Sequence, residues 1–503
     1  MDATNTTIDN PGTPLAALLS RPAYAVMLFA ALQCLVWTLA PALSHSAPPL
    51  DVVESYLWGQ EWVVGTFKHP NMPGWVLEIS RELTGAVGWP AYLASQLFVA
   101  ATYLAVFLLG REMMDGRRAL AGTLLLTGNF YFAWPTIEFN HNVAQMPFWA
   151  MVAWVVWRLR TRQEAIWWVF LGFVGADSLY AKLSSGLLLL VAGCWILGDP
   201  VLRRQLARPG PWLGLLVFLI LAGPLLVWLI RANFGPLLYA AERSSGAGQG
   251  PLQFVVAQAL ACMGLFVLAA AAGLIGPLRD SRLSGPSPPP PVATGFLAYI
   301  TLAPLTITAL AAGLAGAGLK SMWGSPMLGL AGLLAVALTS RRLTEGALAR
   351  LAVAAGVLLL VLPAGYALDT LLESRITGKP KRQNWPQAAI AARFDRLWHD
   401  TTGQPLRIVA GERWIAGLAA LRPGQMPSIL TDGTLELSPW ITPERLRKQG
   451  ALVVWELKAA SVPPPANLAP LLADRPTGQE QFAWPSIPGA QPLLIGYAIL
   501  PPG

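Results

Sequence analysis

The stretch from Ser44 to Glu82 carries Asp51-Val52-Val53-Glu54, then Glu61, then Phe67-Lys68-His69-Pro70-Asn71-Met72-Pro73-Gly74-Trp75. It is the first long polar break after the first hydrophobic run. That run, Ala23 to Leu43, reaches the ~20 residues that cross a bilayer and is too long for a signal-peptide core. Two carboxylates three residues apart and a Lys-His pair therefore stand where a first membrane helix ends. Ionisable groups in that position point to chemistry at the membrane surface, with the rest of the chain as its walls and lid.

Working outward, the 503 residues are 54% hydrophobic and only 12% charged, a composition outside the range of soluble enzymes. The mean hydropathy of +0.50 agrees. A net charge of +8 would suggest nucleic acid in a soluble protein, but here the basic residues lie between apolar runs and read as topology determinants, so no nucleic-acid partner is expected. Cys34, Cys194 and Cys262 all fall inside apolar runs and read as small core residues rather than a disulfide framework.

Apolar windows occur near 23–43, 86–109, 119–136, 143–157, 165–181, 183–197, 212–230, 252–276, 292–315, 321–339 and 348–372. They predict about eleven transmembrane helices, with room for up to thirteen. Arg21, Arg111/Arg117/Arg118, Arg158/Arg160/Arg162, Arg203/Arg204/Arg208, Arg279/Arg282 and Arg341/Arg342/Arg350 fall on one side, which the positive-inside rule assigns to the cytoplasm. Every lysine falls on or near the other side, so Lys68, Lys182 and Lys320 each call for a reason other than topology. The proline run 285–291 reads as a stiff cytoplasmic connector.

Composition changes after about residue 378. Trp385 to His399 has helical spacing, Leu406–Ala410, Leu452–Leu457 and Leu493–Leu500 read as strands, and Thr442-Pro443-Glu444 opens a helix. The division expected is a membrane domain over 1–377, with its first outer loop at 44–85, and a small α/β domain over 378–503 on the same side as Asp51.

Asp51 and Glu54 share a helix face if the stretch from Asp51 is helical, and partial desolvation at the bilayer surface would raise their basicity toward a nucleophilic hydroxyl. A solvated acidic helix start fits the same spacing. Lys68-His69-Pro70 could hold a phosphate leaving group or rest on lipid head groups. Glu138-Phe139-Asn140-His141-Asn142 is a short polar loop between apolar runs, suited to binding a sugar or phosphate. His141 with His69, Glu54 or Asp51 could form a metal site, although no pair has helical ligand spacing. Lys182, at membrane depth, is either functional or paired with Asp177. Lys320-Ser321-Met322-Trp323-Gly324-Ser325-Pro326 could offer backbone N–H groups to an anion or anchor the chain at the interface.

Taken together, these pieces resemble membrane glycosyltransferases of the C-type fold that use a polyprenyl-phosphate sugar, the protein O-mannosyltransferase and lipid A aminoarabinose transferase family, with bacterial galacturonosyltransferases of lipopolysaccharide the nearest in look. The resemblance covers most of the chain, including the tail motifs Trp385-Pro386, Val409-Ala410-Gly411, Thr431-Asp432-Gly433, Ser438-Pro439-Trp440 and Val453-Val454-Trp455. The sequence departs from the family where Glu54 replaces an acidic residue adjacent to the first, and where Asn71-Met72 intrudes before the second proline.

The resemblance implies a polytopic α-helical enzyme of the bacterial inner membrane, with site and tail domain facing the periplasm. It would move one sugar from a polyprenyl monophosphate to a lipid or glycan acceptor, with inversion; lipid A or the lipopolysaccharide core is the acceptor expected. Asp51 is the implied base with Glu54 beside it. Lys68, His69, Lys182 and Lys320 would meet the donor phosphate, and Glu138, Asn140, His141 and Trp323 the substrate. No cofactor is required on this reading, while a divalent metal stays open. The alternatives are a lipid-linked sugar transporter or flippase, for which no matching halves are seen, a protein O-glycosyltransferase, an oligosaccharide polymerase or ligase using a diphosphate donor, and a non-catalytic assembly or sensor protein.

Overall fold

A computed structural model describes residues 13–245, 248–275, 289–339, 343–457, 463–473, 475–487 and 489–503. Arg279, Arg282, the proline run through Pro288, Arg341, Arg342 and Lys458 lie outside the described residues. Six described helices are long and apolar enough to cross a bilayer: Pro22–Ser44, Trp89–Met113, Pro209–Arg231, Pro251–Ala271, Pro291–Ala315 and Glu345–Thr377. The shorter apolar helices Ala165–Ala181 and Ser185–Gly198, together with His141–Arg162, complete the bundle.

Trp89–Met113 packs against both Pro22–Ser44 and His141–Arg162, while Ala165–Ala181 lies along Pro209–Arg231. The last pair approach closely because a Cβ on Gly172 would stand 2.1 Å from the Gly214 carbonyl oxygen. Small residues of this kind let apolar helices gain van der Waals contact in a lipid solvent that offers no hydrophobic drive.

Two expected spans are not continuous helices. The 119–136 window folds as Gly116–Leu125 followed by 3-10 turns at Leu126–Gly128, Phe130–Phe132 and Trp134–Ile137. Asn129 breaks the run: its side chain accepts from the Tyr131 amide and donates to the Leu328 carbonyl. The 321–339 window opens with a 3-10 turn, Ser321–Gly324, and becomes helical only over Ala331–Leu338, after Pro326 and Gly329.

At the end of the bundle far from Asp51, several of the basic loops are tied by ion pairs. Arg117 meets Glu345 at 2.7 Å, Arg160 meets Asp199 at 2.8 Å, and Arg158 pairs with Glu112.

The C-terminal unit is a five-stranded sheet in the order β2-β1-β3-β5-β4, with β1 Ile408–Gly411, β2 Ser428–Thr431, β3 Ala451–Leu457, β4 Thr477–Phe482 and β5 Leu493–Leu500. β1 runs parallel to β2 and β3, whereas β5 is antiparallel to β3 and β4. The helix read from Trp385 is Gln387–Thr402. Thr442 accepts from the Arg445 amide and so starts Pro443–Gln449 as its sequence implied.

This unit sits on the same end as the Asp51 loop. Gln60 donates to Pro427 O at 3.0 Å, Ser428 to Glu61 at 2.6 Å, and Arg81 to Pro423 O at 2.7 Å. Its Arg413–Ala420 helix packs on Leu50–Gly59, where a Cβ on Gly417 would lie 2.5 Å from Val53 Cγ1.

Candidate active site

The helix Leu50–Gly59 begins after Pro49 and carries Asp51 in its first turn, where the helix dipole favours a carboxylate. It ends at Gly59, so Asp51 and Glu54 do lie on one helix. The Asp51 amide donates to Glu138 Oε1 at 2.9 Å, and Asp51 Oδ2 accepts from Asn140 Nδ2 at 3.1 Å. Asn140 is held for this task by the helix it caps. Its Oδ1 accepts from the amides of Asn142 and Val143 at 2.9 and 3.3 Å, which turns the amide nitrogen toward Asp51.

Glu54 lies on the same helix but has other partners. Lys68 Nζ donates to both its oxygens, at 2.7 and 2.8 Å, and Arg413 Nε lies 3.0 Å from Oε1. Glu54 and Lys68 are both buried. Glu54, expected beside the base, thus has two cations at its carboxylate. Burial pushes its carboxyl up and the Lys68 ammonium down, and at Glu54 the charges of Lys68 and Arg413 oppose burial. The Lys68 ammonium also lies 5.5 Å from the centre of the Trp58 ring.

The His69 and His141 rings lie 4.3 Å apart, centre to centre, tilted by 44°, and His141 Nε2 is 2.8 Å from the Pro70 carbonyl oxygen. Burial, then His141, Lys182 and Lys68, hold the His69 imidazole well below its usual range. Its surroundings thus favour the neutral, hydrogen-bonding form. Lys182 Nζ donates to Asn142 Oδ1 at 2.5 Å. No ion pair joins it to Asp177 among the described residues. Burial lowers Lys182 to about 8, with the charge of Asp51 opposing.

Beside these groups is a cavity of about 370 Å³ whose walls include Tyr131, Trp134, Glu138, Asn140, Tyr366 and Arg382. An aromatic wall with a few convergent polar groups suits a carbohydrate-sized ligand. Burial and the nearby Asp51 charge push the Glu138 carboxyl up to about 8. Near neutral pH it carries its proton and can donate.

From the 320–326 break, Met322 and Ser325 line the cavity. Trp323 turns away and packs against the Phe254, Ala312 and Leu319 cluster, because in a 3-10 turn residues three apart, such as Met322 and Ser325, share a face that the residue between them does not. Lys320 is half-buried at the start of that turn. Among the described residues, no group of three or more His, Cys, Asp or Glu side chains is disposed to hold a metal ion.

Comparison with known proteins bears on the fold. ArnT from Cupriavidus metallidurans bound to undecaprenyl phosphate superposes with a TM-score of 0.62 over 94% of this chain and 97% of that one, at 15% identity. Its apo state gives 0.60 over the same shares, at 14% identity. The fold is that of the C-type membrane glycosyltransferases. Residues 68–228 also match the family described as dolichyl-phosphate-mannose-protein mannosyltransferase. The Archaeoglobus fulgidus oligosaccharyltransferase in the apo form aligns at a TM-score of 0.43, with 12% identity over 87% of this chain and 69% of that one. No curated protein matches the sequence.

Within the C-type fold, three contributors to the site escape sequence reading. His45 bridges the Tyr92 and Tyr366 hydroxyls at 2.9 and 2.7 Å, tying three helices behind the cavity. Arg382 and Arg413 come from the far end of the chain, Arg413 standing 359 residues beyond Glu54, and residue spacing does not reveal partners so remote. Only the position of Arg413 as the first residue of a helix beside an aromatic gave any local signal.

Proposed function

We propose that this chain is a membrane glycosyltransferase that moves one sugar from a polyprenyl-monophosphate donor to a lipid or glycan acceptor. The face is the periplasmic side of the bacterial inner membrane, and the acceptor class is lipid A or the lipopolysaccharide core. The observation that carries this reading is the setting of Asp51. One carboxylate oxygen is fixed by Asn140, its amide is fixed by Glu138, and Lys182 is close enough to feel its charge.

In this reading Asp51 accepts or orients the acceptor O–H proton while the acceptor oxygen attacks the anomeric carbon. The bond from that carbon to the phosphate oxygen breaks on the opposite side, so the product is inverted and the lipid phosphate leaves as a monoester. Lys182 and Lys320 supply positive charge toward that phosphate, Lys68 being held in its pair with Glu54, and neutral His69 can add a hydrogen bond. Neutral Glu138 and Asn140 face the sugar or acceptor from the cavity wall. The undecaprenyl phosphate in the ArnT structure supports the donor class, since that protein shares the fold.

The test is transfer of labelled sugar from a panel of polyprenyl-monophosphate donors to membrane lipid acceptors, with wild type beside Asp51→Asn. Transfer by wild type that is lost in the variant, with donor still bound, is the expected result. If both proteins bind donor and neither transfers, the chain is a binding or transport protein and the reading fails.

A further inference from the structure

Lys68 and Glu54 form a buried pair, with side chains 8% and 4% exposed. An ammonium in contact with both carboxylate oxygens has its charge balanced where it stands. Such a pair offers a phosphate little net attraction, and little room to approach. Arg413 alters this balance. Its Nε shares Glu54 Oε1 at 3.0 Å, so two cations surround one carboxylate, and its side chain is 32% exposed. Among the described residues, its ion-pair partners are Glu54 and, at 3.9 Å, Glu412. Glu412 is exposed and uses its other oxygen to cap the helix that Arg413 opens. With its side chain 32% exposed, the guanidinium is not closed off by the carboxylate it meets.

The position is also built. Gly417 on Val53, Glu61 with Ser428, and Gln60 with Pro427 lock the Arg413–Ala420 helix onto the Asp51 helix and the turn after it. Trp62, within that turn, is held at φ +49°, a conformation that costs a residue with a side chain and persists where surrounding contacts enforce it. Arg382, on the cavity wall, lies over the ring of Trp414, the neighbour of Arg413. The C-terminal unit thus sets guanidinium groups beside the Asp51 helix and the cavity.

We propose that Arg413 is a contact for the phosphate of the polyprenyl donor, and that the buried Glu54–Lys68 pair is the platform that aims it. The C-terminal unit is then a component of the donor site. This inference rests on the reading of the site as one for a polyprenyl monophosphate. A planar guanidinium with one edge fixed suits the bidentate grip of a phosphate better than a mobile ammonium does.

The experiment measures binding of undecaprenyl monophosphate, and separately of undecaprenol, to the full-length protein in nanodiscs, for wild type, Arg413→Gln and Arg413→Lys. Thermal unfolding is recorded for each. The alcohol shares the tail and lacks the charge, so it reports any general damage to the site. Wild type is expected to prefer the monophosphate. Arg413→Gln should weaken monophosphate binding roughly 10- to 100-fold and leave undecaprenol unchanged, while Arg413→Lys should recover part of the loss.

Equal preference for the phosphate in wild type and Arg413→Gln would overturn the proposal. So would parallel loss of both ligands with a lowered unfolding temperature, which would make Arg413 a docking strut only. A wild type that shows the Arg413-dependent preference but transfers no sugar would sink the transferase reading and leave this inference standing. Transfer that survives Arg413→Gln with unchanged donor KM would do the reverse.

Discussion

Asn140 donates its side-chain amide to Asp51 Oδ2 while its carbonyl oxygen caps the next membrane helix. The orientation of the candidate base is thereby set by the start of the His141–Arg162 helix, and the two uses of Asn140 can be separated. Asn140→Ser keeps an oxygen that can cap but removes the donor to Asp51. Its kcat should fall by roughly 10- to 100-fold, the value of one hydrogen bond to a charged group, with donor KM and unfolding temperature nearly unchanged. Steady-state kinetics at saturating donor decide this. An unchanged kcat would remove Asn140 from the catalytic arrangement.

The Glu138 carboxyl, raised from 4.5 to about 8, gives a pH signature whose sign is fixed. Between those values the folded protein holds a proton that the unfolded chain has released. The contribution of this group to stability is therefore complete below about pH 4.5 and is lost as the pH rises through about 8. Glu138→Gln stays neutral throughout. Its unfolding temperature should gain on wild type with rising pH, by roughly 2–4 °C at pH 8, and a constant difference would contradict the assignment.

How much of this was legible in the sequence differs by element. The first break, the outer lysines and the strands β1, β3 and β5 announced themselves because apolar runs and charge asymmetry are local signals. β2 and β4 did not. β4 is Thr-Gly-Gln-Glu-Gln-Phe, an edge strand whose polar residues are held in place partly by the Arg393–Glu480 ion pair. The breaks in the 119–136 and 321–339 windows were masked by hydropathy, because buried Asn129 and the Gly324–Gly329 segment find partners only in the folded bundle. At the site, Asp51 and Glu54 read as one unit by spacing. Their roles separate only when Asn140 reaches one and Lys68 with Arg413 the other, and of those partners Asn140 and Arg413 come from distant parts of the chain.

Lys182 offers a choice between two explanations that the sequence left equal. The ammonium reaches Asn142 and the electrostatic reach of Asp51, not Asp177. Lys182→Met should then raise donor KM about tenfold, within the range for a charged hydrogen bond, whereas Asp177→Ala should leave kinetics at wild-type values. Because burial brings Lys182 down to about 8, its charge fades above that pH. Donor affinity should fall in the same window, and the fall should persist in Glu138→Gln, which no longer titrates there. A matching loss of activity in Asp177→Ala would restore the pairing explanation.

The docked C-terminal unit can be loosened without touching any group assigned to chemistry. A Cβ at Gly417 would stand 2.5 Å from Val53 Cγ1 and 3.2 Å from Leu57 Cδ1, both on the buried face of the Asp51 helix. That face is packed at the density of a protein interior, so the methyl must push the two helices apart. The cost should be about 1–3 kcal/mol. If the unit serves only as a cover, Gly417→Ala would lower the unfolding temperature and spare transfer. If it carries Arg413 to the donor, a shift of a few tenths of an ångström at Gly417 displaces the guanidinium one turn away, and donor KM rises while acceptor KM stays. Measuring both constants in Gly417→Ala below its unfolding temperature separates the two. The second outcome is expected, because Gly417 and Arg413 lie four residues apart on one rigid helix, with the glycine against Val53 and the arginine on Glu54 of the helix it packs on.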